Sequence, residues 1–178
     1  MTALSISASR TEMPPSRPLK KRCVSPQLGM PAAGDAGLPV VFHTGFHAWG
    51  GNRPERCHSE NLTGLVSSLP KTDFLLLHSG IPFIDDAINI AAYYPNVPIN
   101  MAWMHIIDRR KSVEAARRYI EALPLNKIHG FGGDYMFVEN IAGHLEIALE
   151  NLAEAFGDEV ETGRMTAVEA VFFSRQKP

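Results

Sequence analysis

The sequence has no long apolar run and no excess of positive charge, and these absences exclude two classes of protein. No run of apolar residues approaches the roughly 20 that a membrane-spanning helix needs. The 17 lysine and arginine residues are outnumbered by 19 aspartate and glutamate residues, which gives a formal net charge of −2. The basic footprint of a nucleic-acid-binding protein is therefore missing. We expect a small molecule as the partner, and neither a membrane nor a nucleic acid.

Cysteine is also scarce, since it occurs only at Cys23 and Cys57. Two cysteines do not make the disulfide framework that is typical of small secreted proteins. The N-terminus has no apolar segment of the kind that a secretory signal contains. We therefore expect two free thiols and a cytoplasmic location.

The composition changes near residue 38, and this change predicts the domain organisation. Residues 1–37 are rich in serine, proline, arginine and lysine. Within them, residues 13–18 contain three prolines, which exclude a helix interior or a central strand there. We expect a disordered or non-native tail over residues 1–37 and one folded domain over residues 38–178.

Four short apolar runs, each bounded by turn-forming residues, are typical of strands buried on both faces of a parallel sheet. We predict these strands at residues 39–43, 73–78, 97–104 and 127–131. The segments between them have helical periodicity, and the clearest helix is predicted over residues 139–156. Alternating strands and helices favour an α/β fold of parallel (β/α) units with right-handed crossovers. An open doubly wound sheet has the same order of elements and stays the alternative.

Three of the predicted strands end near a side chain that can bind a metal ion. His43, His78 and Asp134 would meet at one rim, because parallel strands deliver their carboxyl ends to the same edge. A catalytic zinc site uses about three such ligands and leaves one position for water. We predict these three residues as metal ligands, with His78 and Asp134 also catalytic. Asp134 would take a proton from a metal-bound water; the alternative role for it is a helix N-cap.

Three further residues near strand ends are predicted to contact the substrate. Arg53 suits a substrate carboxylate, and Trp103 and His105 follow the third predicted strand. The alternative for His105 is a loop histidine bonded to the backbone.

We expect His144 to face solvent on the last long helix. The buried stripe of that helix is predicted to be Ile141, Leu145, Ala148, Leu152 and Ala155.

At these residues the sequence resembles the amidohydrolase superfamily, from residue 36 to residue 169. Within the superfamily, it is most similar to the branch of small-carboxylate hydrolases and decarboxylases that includes uronate-isomerase-like proteins. The matching stretches are His43-Thr44-Gly45, Gly51-Asn52, His78-Ser79-Gly80, Tyr94-Pro95-Asn96-Val97 and the segment from Asn126 to Tyr135.

The resemblance implies a (β/α)₈ barrel of the TIM type, in which the present strands would be the fifth to the eighth. It implies that His43 is a metal ligand or its neighbour, and that His78 binds the metal or polarises the substrate. It further implies that Asp134 contacts the metal, here expected to be zinc, and acts as the general base. The implied activity is hydrolysis of a small carboxylate, ester, lactone or amide. Uronate (sugar-acid) isomerisation is the alternative.

The sequence departs from the family in one respect. The first strand of the family barrel supplies a His-x-His pair of ligands, and no such pair occurs in these 178 residues. A whole barrel needs about 250 residues, so the resemblance covers its C-terminal half. We therefore expect a truncated domain that forms a homo-oligomer or pairs with a missing N-terminal half. A non-catalytic remnant is the remaining alternative.

Overall fold

A computed structural model describes residues 26–46 and 53–174 of the chain, and a single parallel sheet lies at its centre. The sheet has four strands in the order β1-β2-β3-β4, and all three neighbouring pairs are parallel. The strands are β1 Val40–His43, β2 Phe74–Leu77, β3 Ile99–Asn100 and β4 Ile128–His129. The predicted α/β class with a parallel four-stranded sheet is thus confirmed.

Helices connect the strands and flank the sheet. They are α1 Pro26–Asp35, α2 Thr63–Ser68, α3 Ile84–Tyr93, α4 Met104–Ile107, α5 Arg109–Ala122, α6 Glu139–Glu161 and α7 Ala167–Ser174. Short 3₁₀ turns occur at Pro54–Arg56, Ser59–Leu62, His78–Gly80 and Leu125–Lys127. None of the helices described is both long enough and apolar enough to cross a membrane.

Helix α1 lies within the range for which the sequence predicted a tail. The hydroxyl of Thr72 donates a hydrogen bond to the Met30 carbonyl of this helix over 3.3 Å, and the Met30 side chain packs against the core. Helix α1 thus lies before the predicted boundary at residue 38 and contacts the domain, whereas residues 1–25 lie outside the described residues. Contact with the domain, which composition does not reveal, outweighs the local preference for a tail.

Strands β3 and β4 are much shorter than the sequence predicted, and in β3 the reason is a turn that follows Asn100. In β3 the side chain of Asn100 accepts a hydrogen bond from the Ala102 amide over 2.8 Å. Such local side-chain bonds offer the backbone an alternative to the strand ladder. The strand ends there, although the apolar run continues to Met104.

Within residues 26–46 and 53–174, helices cover one face of the sheet and leave the other partly exposed. The side chains facing the helices belong to the hydrophobic core or pack against it: Val40, Phe42, Phe74, Leu76, Ile99 and Ile128. Because side chains alternate along a strand, the intervening residues point to the opposite side, which we name the open face: Val41, His43, Leu75, Leu77, Asn100 and His129. Val41 on this face is 51% exposed.

Two polar side chains, the buried Tyr119 and the half-buried Lys127, join the helices to the ends of the sheet. The Tyr119 hydroxyl of α5 donates to the Ser79 carbonyl just after β2, over 2.9 Å. Burial raises the pKa of Tyr119, so the hydroxyl keeps its proton. The Lys127 ammonium donates to the carbonyls of Ala91 and Tyr94 at the C-terminal end of α3. The ammonium thus gives a hydrogen-bond donor to carbonyls at the helix end, where the helix itself supplies none.

The open face and the sheet edges predict self-association. Parallel sheets are normally covered on both faces, and an unpaired edge strand is a site for pairing with another chain. We expect the chain to sediment as a dimer or a larger assembly in a concentration-dependent manner. Val41→Lys, which places a charge on the open face, should weaken this association.

Tyr93→Lys is the matched control, since Tyr93 is 82% exposed on α3 and lies outside the open face. It adds the same charge and should leave the sedimentation profile unchanged. A wild-type chain that stays monomeric across the concentration range would contradict the prediction.

Candidate metal centre

The three predicted ligands come together at the carboxyl ends of the strands. His43 is the last residue of β1 and lies beside Leu77 in the parallel register, so His78 follows at the same end of the sheet. Asp134 lies on the segment after β4. One ring nitrogen from each histidine and one carboxylate oxygen all lie within 4.8 Å of one another. The geometry therefore brings together two imidazoles and a carboxylate, a donor set that divalent metals use.

His78 is oriented by the backbone of the neighbouring strand. Its side chain is buried, and Nδ1 lies 2.9 Å from the Ala102 carbonyl oxygen. A carbonyl can only accept, so Nδ1 carries the proton and Nε2 of the neutral ring carries the lone pair. Metal-binding histidines commonly have this arrangement, because the second nitrogen fixes the tautomer and the ring orientation.

The distances within the cluster fit a divalent ion. Nε2 of His78 lies 2.9 Å from Nδ1 of His43 and 3.9 Å from Oδ2 of Asp134. Two nitrogens bound to zinc at about 2.0–2.1 Å in a tetrahedral site are about 3.3 Å apart. The two ring nitrogens are hydrogen-bonded to each other, so a bound ion would replace this bond and move the rings apart by a few tenths of an ångström. Asp134 is partly exposed, which leaves the third ligand accessible from solvent.

Backbone strain is concentrated at this end of the sheet. Among the described residues other than glycine, positive φ angles occur at His78 (63°), Ser79 (51°), Trp103 (60°) and Asp134 (47°). All four follow the ends of β2, β3 and β4. Each such residue costs about 1–3 kcal/mol and persists only where the surroundings hold it, which is common at functional sites.

Trp103 lies against two of the predicted ligands. Its indole N–H donates to the carbonyl oxygens of Gly133 and Asp134, over 3.1 and 3.0 Å. Its ring centroid is 5.8 Å from that of His78 and 6.0 Å from that of Tyr135. The structure therefore places this predicted substrate residue beside the centre, with its polar atom bonded to the Asp134 segment.

Arg53, the second predicted substrate residue, is exposed and pairs with a neighbour. A terminal guanidinium nitrogen lies 2.6 Å from the carboxylate of Glu55. The segment is held near the end of β1, because the Gly45 amide donates to the Cys57 carbonyl over 2.8 Å. Cys57 is a free thiol, and residues 47–52, which include the Gly51-Asn52 match, lie outside the described residues.

His105, the third predicted substrate residue, is part of the packing between helices. Its side chain is buried in α4, and Nε2 donates to the Gly130 carbonyl over 2.8 Å. The Asn151 amide of α6 lies 3.3 Å from Nδ1. Burial lowers the pKa of His105, which favours the neutral ring. With no exposed surface, the side chain is not positioned as a substrate contact, and its hydrogen bond to the backbone matches the alternative role.

The expectation that His144 faces solvent is wrong. The side chain is 3% exposed and packs edge-on to Phe131 and Tyr135, at centroid distances of 5.0 and 5.5 Å. The buried face of α6 is rotated from the predicted stripe, since Leu145 is 38% exposed. That buried face consists of His144, Ala148, Asn151, Ala155 and Glu159.

Asn100 and Ala102 take part in the site, although the sequence did not single them out. The Asn100 side chain accepts from the Ala102 amide, and the Ala102 carbonyl then accepts from His78. Gly132 packs directly on this pair. An asparagine inside an apolar run was the one available signal, because such a residue favours a local turn over a continuing strand.

Comparison with known proteins shows the family to which the chain belongs. The family profile described as "Amidohydrolase" matches residues 11–165, and the chain belongs to this family. The chain is also similar to Protein fluG of Emericella nidulans, with 27% identity over 136 residues. The match covers 75% of this chain and 15% of fluG, so the chain spans less than a sixth of that relative.

Gly132 has to be a glycine for packing reasons. A Cβ at this position would lie 2.5 Å from Asn100 Oδ1 and 2.9 Å from the Ala102 side chain. We expect Gly132→Ala to destabilise the fold by about 1–3 kcal/mol, the usual cost of overpacking. Urea denaturation measures the effect.

Gly143→Ala is the matched control. This glycine lies within α6, and a Cβ there would meet no atom within 4 Å. We expect this variant to stabilise the protein by about 0.5–1 kcal/mol, because alanine is the better helix former. Equal stabilities of the two variants would contradict the packing argument.

Protonation of His105 and His144 predicts how stability depends on pH. Burial lowers the pKa of both rings below the ordinary value of 6.5. Below about pH 6.5 the unfolded chain therefore binds more protons than the folded one, and stability falls as the pH falls. We expect the melting temperature to be highest above pH 7 and to decline towards pH 5.5.

His144→Phe should flatten this decline. The described residues offer no hydrogen-bond partner to either ring nitrogen of His144, so an apolar ring replaces it without losing a bond. His105→Phe serves for comparison, because it loses the bond to Gly130 and should destabilise the protein at all pH values. An unchanged pH profile in His144→Phe would overturn the assignment.

Proposed function

We propose that the chain is the C-terminal half, strands five to eight, of an amidohydrolase-type (β/α)₈ barrel and acts as a metal-dependent hydrolase. The proposed substrates are small carboxylates, esters, lactones or amides. The observation that carries this proposal is the cluster of His43, His78 and Asp134 at the carboxyl ends of parallel strands. Active sites of TIM-type barrels lie at this end of the sheet, and membership of the amidohydrolase family supports the reaction class.

The donor set suits zinc. His43 and His78 would hold the ion through ring nitrogens and Asp134 through a carboxylate oxygen. Imidazole nitrogen and carboxylate oxygen are usual zinc ligands. A divalent ion held there would supply a coordinated water whose pKa is lowered towards about 7.

The residues of the chain have separate roles in the proposed reaction. Asp134 is 42% exposed on its side chain, so it can meet both solvent and substrate and accept the proton of the attacking water. His78 is held by Ala102 so that Nε2 points into the same space. In the alternative role, in which His78 does not hold the ion, Nε2 carries a proton, donates to the substrate carbonyl and polarises it. The exposed Arg53, near the end of β1, would bind a substrate carboxylate.

A specific observation favours a second candidate. The sequence lacks the His-x-His pair that the family resemblance leads one to expect. In this second candidate the chain is a non-catalytic remnant, or a half that requires a second polypeptide to become active. A cytoplasmic location, supported by the scarcity of cysteine, belongs to both candidates.

Zinc titration followed by native mass spectrometry tests the metal centre. We expect one zinc ion per chain, with affinity at least about 10-fold lower in His78→Ala and in Asp134→Ala, because each removes one of three ligands. His58→Ala is the matched control, since His58 instead bonds to Asp86. Absence of zinc uptake by the wild-type chain would contradict the proposal.

Reaction in ¹⁸O-labelled water separates the candidate activities. A hydrolase incorporates the label into the product acid, whereas a sugar-acid isomerase takes up no water overall. We expect incorporation that depends on added zinc and is lost in Asp134→Ala. A zinc-loaded chain without turnover, alone or mixed with a complementary half, would favour the non-catalytic remnant.

A further inference from the structure

We propose that Trp103 is a positioning residue that holds the Asp134 segment against His78. The inference rests on the proposed function, because it concerns the placement of two of the proposed ligands. The indole nitrogen of Trp103 donates to two successive carbonyl oxygens, that of Gly133 at 3.1 Å and that of Asp134 at 3.0 Å. A shared donor of this kind fixes a peptide segment, and not a single side chain.

The segment needs such support because its backbone is strained. Asp134 has a φ of 47°, in the left-handed region that residues other than glycine seldom adopt. The ordinary conformation of this residue would turn the peptide and move the carboxylate. The indole N–H binds the carbonyls on both sides of the strained dihedral angle, so it favours the conformation in which Asp134 Oδ2 lies 3.9 Å from His78 Nε2.

Trp103 is itself held in place. Its φ is 60°, and its carbonyl accepts hydrogen bonds from the Ile106 and Ile107 amides in the first turn of α4. The ring lies beside the rings of His78 and Tyr135, at centroid distances of 5.8 and 6.0 Å. A bulky side chain on a strained backbone, fixed by a helix start and by two rings, is pre-organised and loses little freedom when it donates.

The neighbouring residue orients the other ligand. The Ala102 carbonyl accepts from Nδ1 of His78 over 2.9 Å. Two consecutive residues after β3 thus orient the two proposed ligands that come from β2 and β4: Ala102 acts on His78 through its backbone, and Trp103 acts on Asp134 through its side chain. A displacement of this turn would move both ligands together.

This geometry also separates a positioning role from a substrate contact. The polar atom of Trp103 is already bonded to two carbonyls, and a substrate would have to displace both. A substrate contact predicts that mutation raises KM alone. A positioning role predicts lower metal affinity and a more mobile Asp134 segment even without substrate.

Trp103→Phe is the test variant, because it keeps an aromatic ring and removes the N–H. Tyr135→Phe is the matched control: it removes a polar group from the same segment and leaves the indole in place. Hydrogen–deuterium exchange of the metal-free proteins should show faster exchange of residues 130–135 in Trp103→Phe only. Zinc affinity, measured by isothermal titration, should fall about 10–100-fold in Trp103→Phe and stay near wild type in the control.

Exchange or zinc affinity unchanged in Trp103→Phe would overturn the proposal, and so would faster exchange spread over the whole domain. If that variant does not fold, replacing Trp103 by β-(3-benzothienyl)alanine keeps the size of the ring system and removes only the N–H. Lack of zinc binding by the wild-type chain would instead overturn the proposed function. The exchange experiment needs no metal, so it still decides whether Trp103 holds the segment.

Discussion

Parallel register is the constraint on which the rest of this structure depends. His43 lies beside Leu77, Leu77 beside Asn100, and Asn100 beside His129, so all four strands end at one level. A shift of one residue in any pair would reverse the faces of its side chains. The convergence of two imidazoles and a carboxylate is a result of this register, since residues far apart in the chain leave the sheet at one edge.

Packing on the helical side of the sheet compensates for strain at its carboxyl end. Four residues there have unfavourable backbone angles, and the hydrogen bonds that hold them come from the core or from neighbouring turns. The Tyr119 hydroxyl bonds to Ser79, and the Ala102 carbonyl bonds to His78. The first-turn amides of α4 bond to Trp103, and the indole of Trp103 bonds to the Asp134 carbonyl. Stability on one face and geometry on the rim are therefore linked.

The sequence predicted the α/β order, the four strands and the three clustered side chains, because an apolar run ending in a polar residue is a local signal. It did not predict the orientation of α6, in which His144 and Asn151 are buried while Leu145 is partly exposed. A prediction from hydrophobic periodicity assumes that buried positions are apolar. Because His144 and Asn151 are polar but buried, the predicted buried face of α6 was rotated from the real one. Nor did it predict the turn at Asn100 or the packing of α1, since both depend on tertiary contacts.

The open face has a consequence for selectivity. The described part of the chain places the two histidines and Asp134 together at the carboxyl ends of the strands. In the proposed barrel, the surface opposite Val41, Leu75 and Leu77 would come from the other half. The proposed ligands and the opposite wall of the site would then belong to separate surfaces. Substitutions in that other half would change which molecules fit, while the proposed metal ligands and the residues that orient them stay the same.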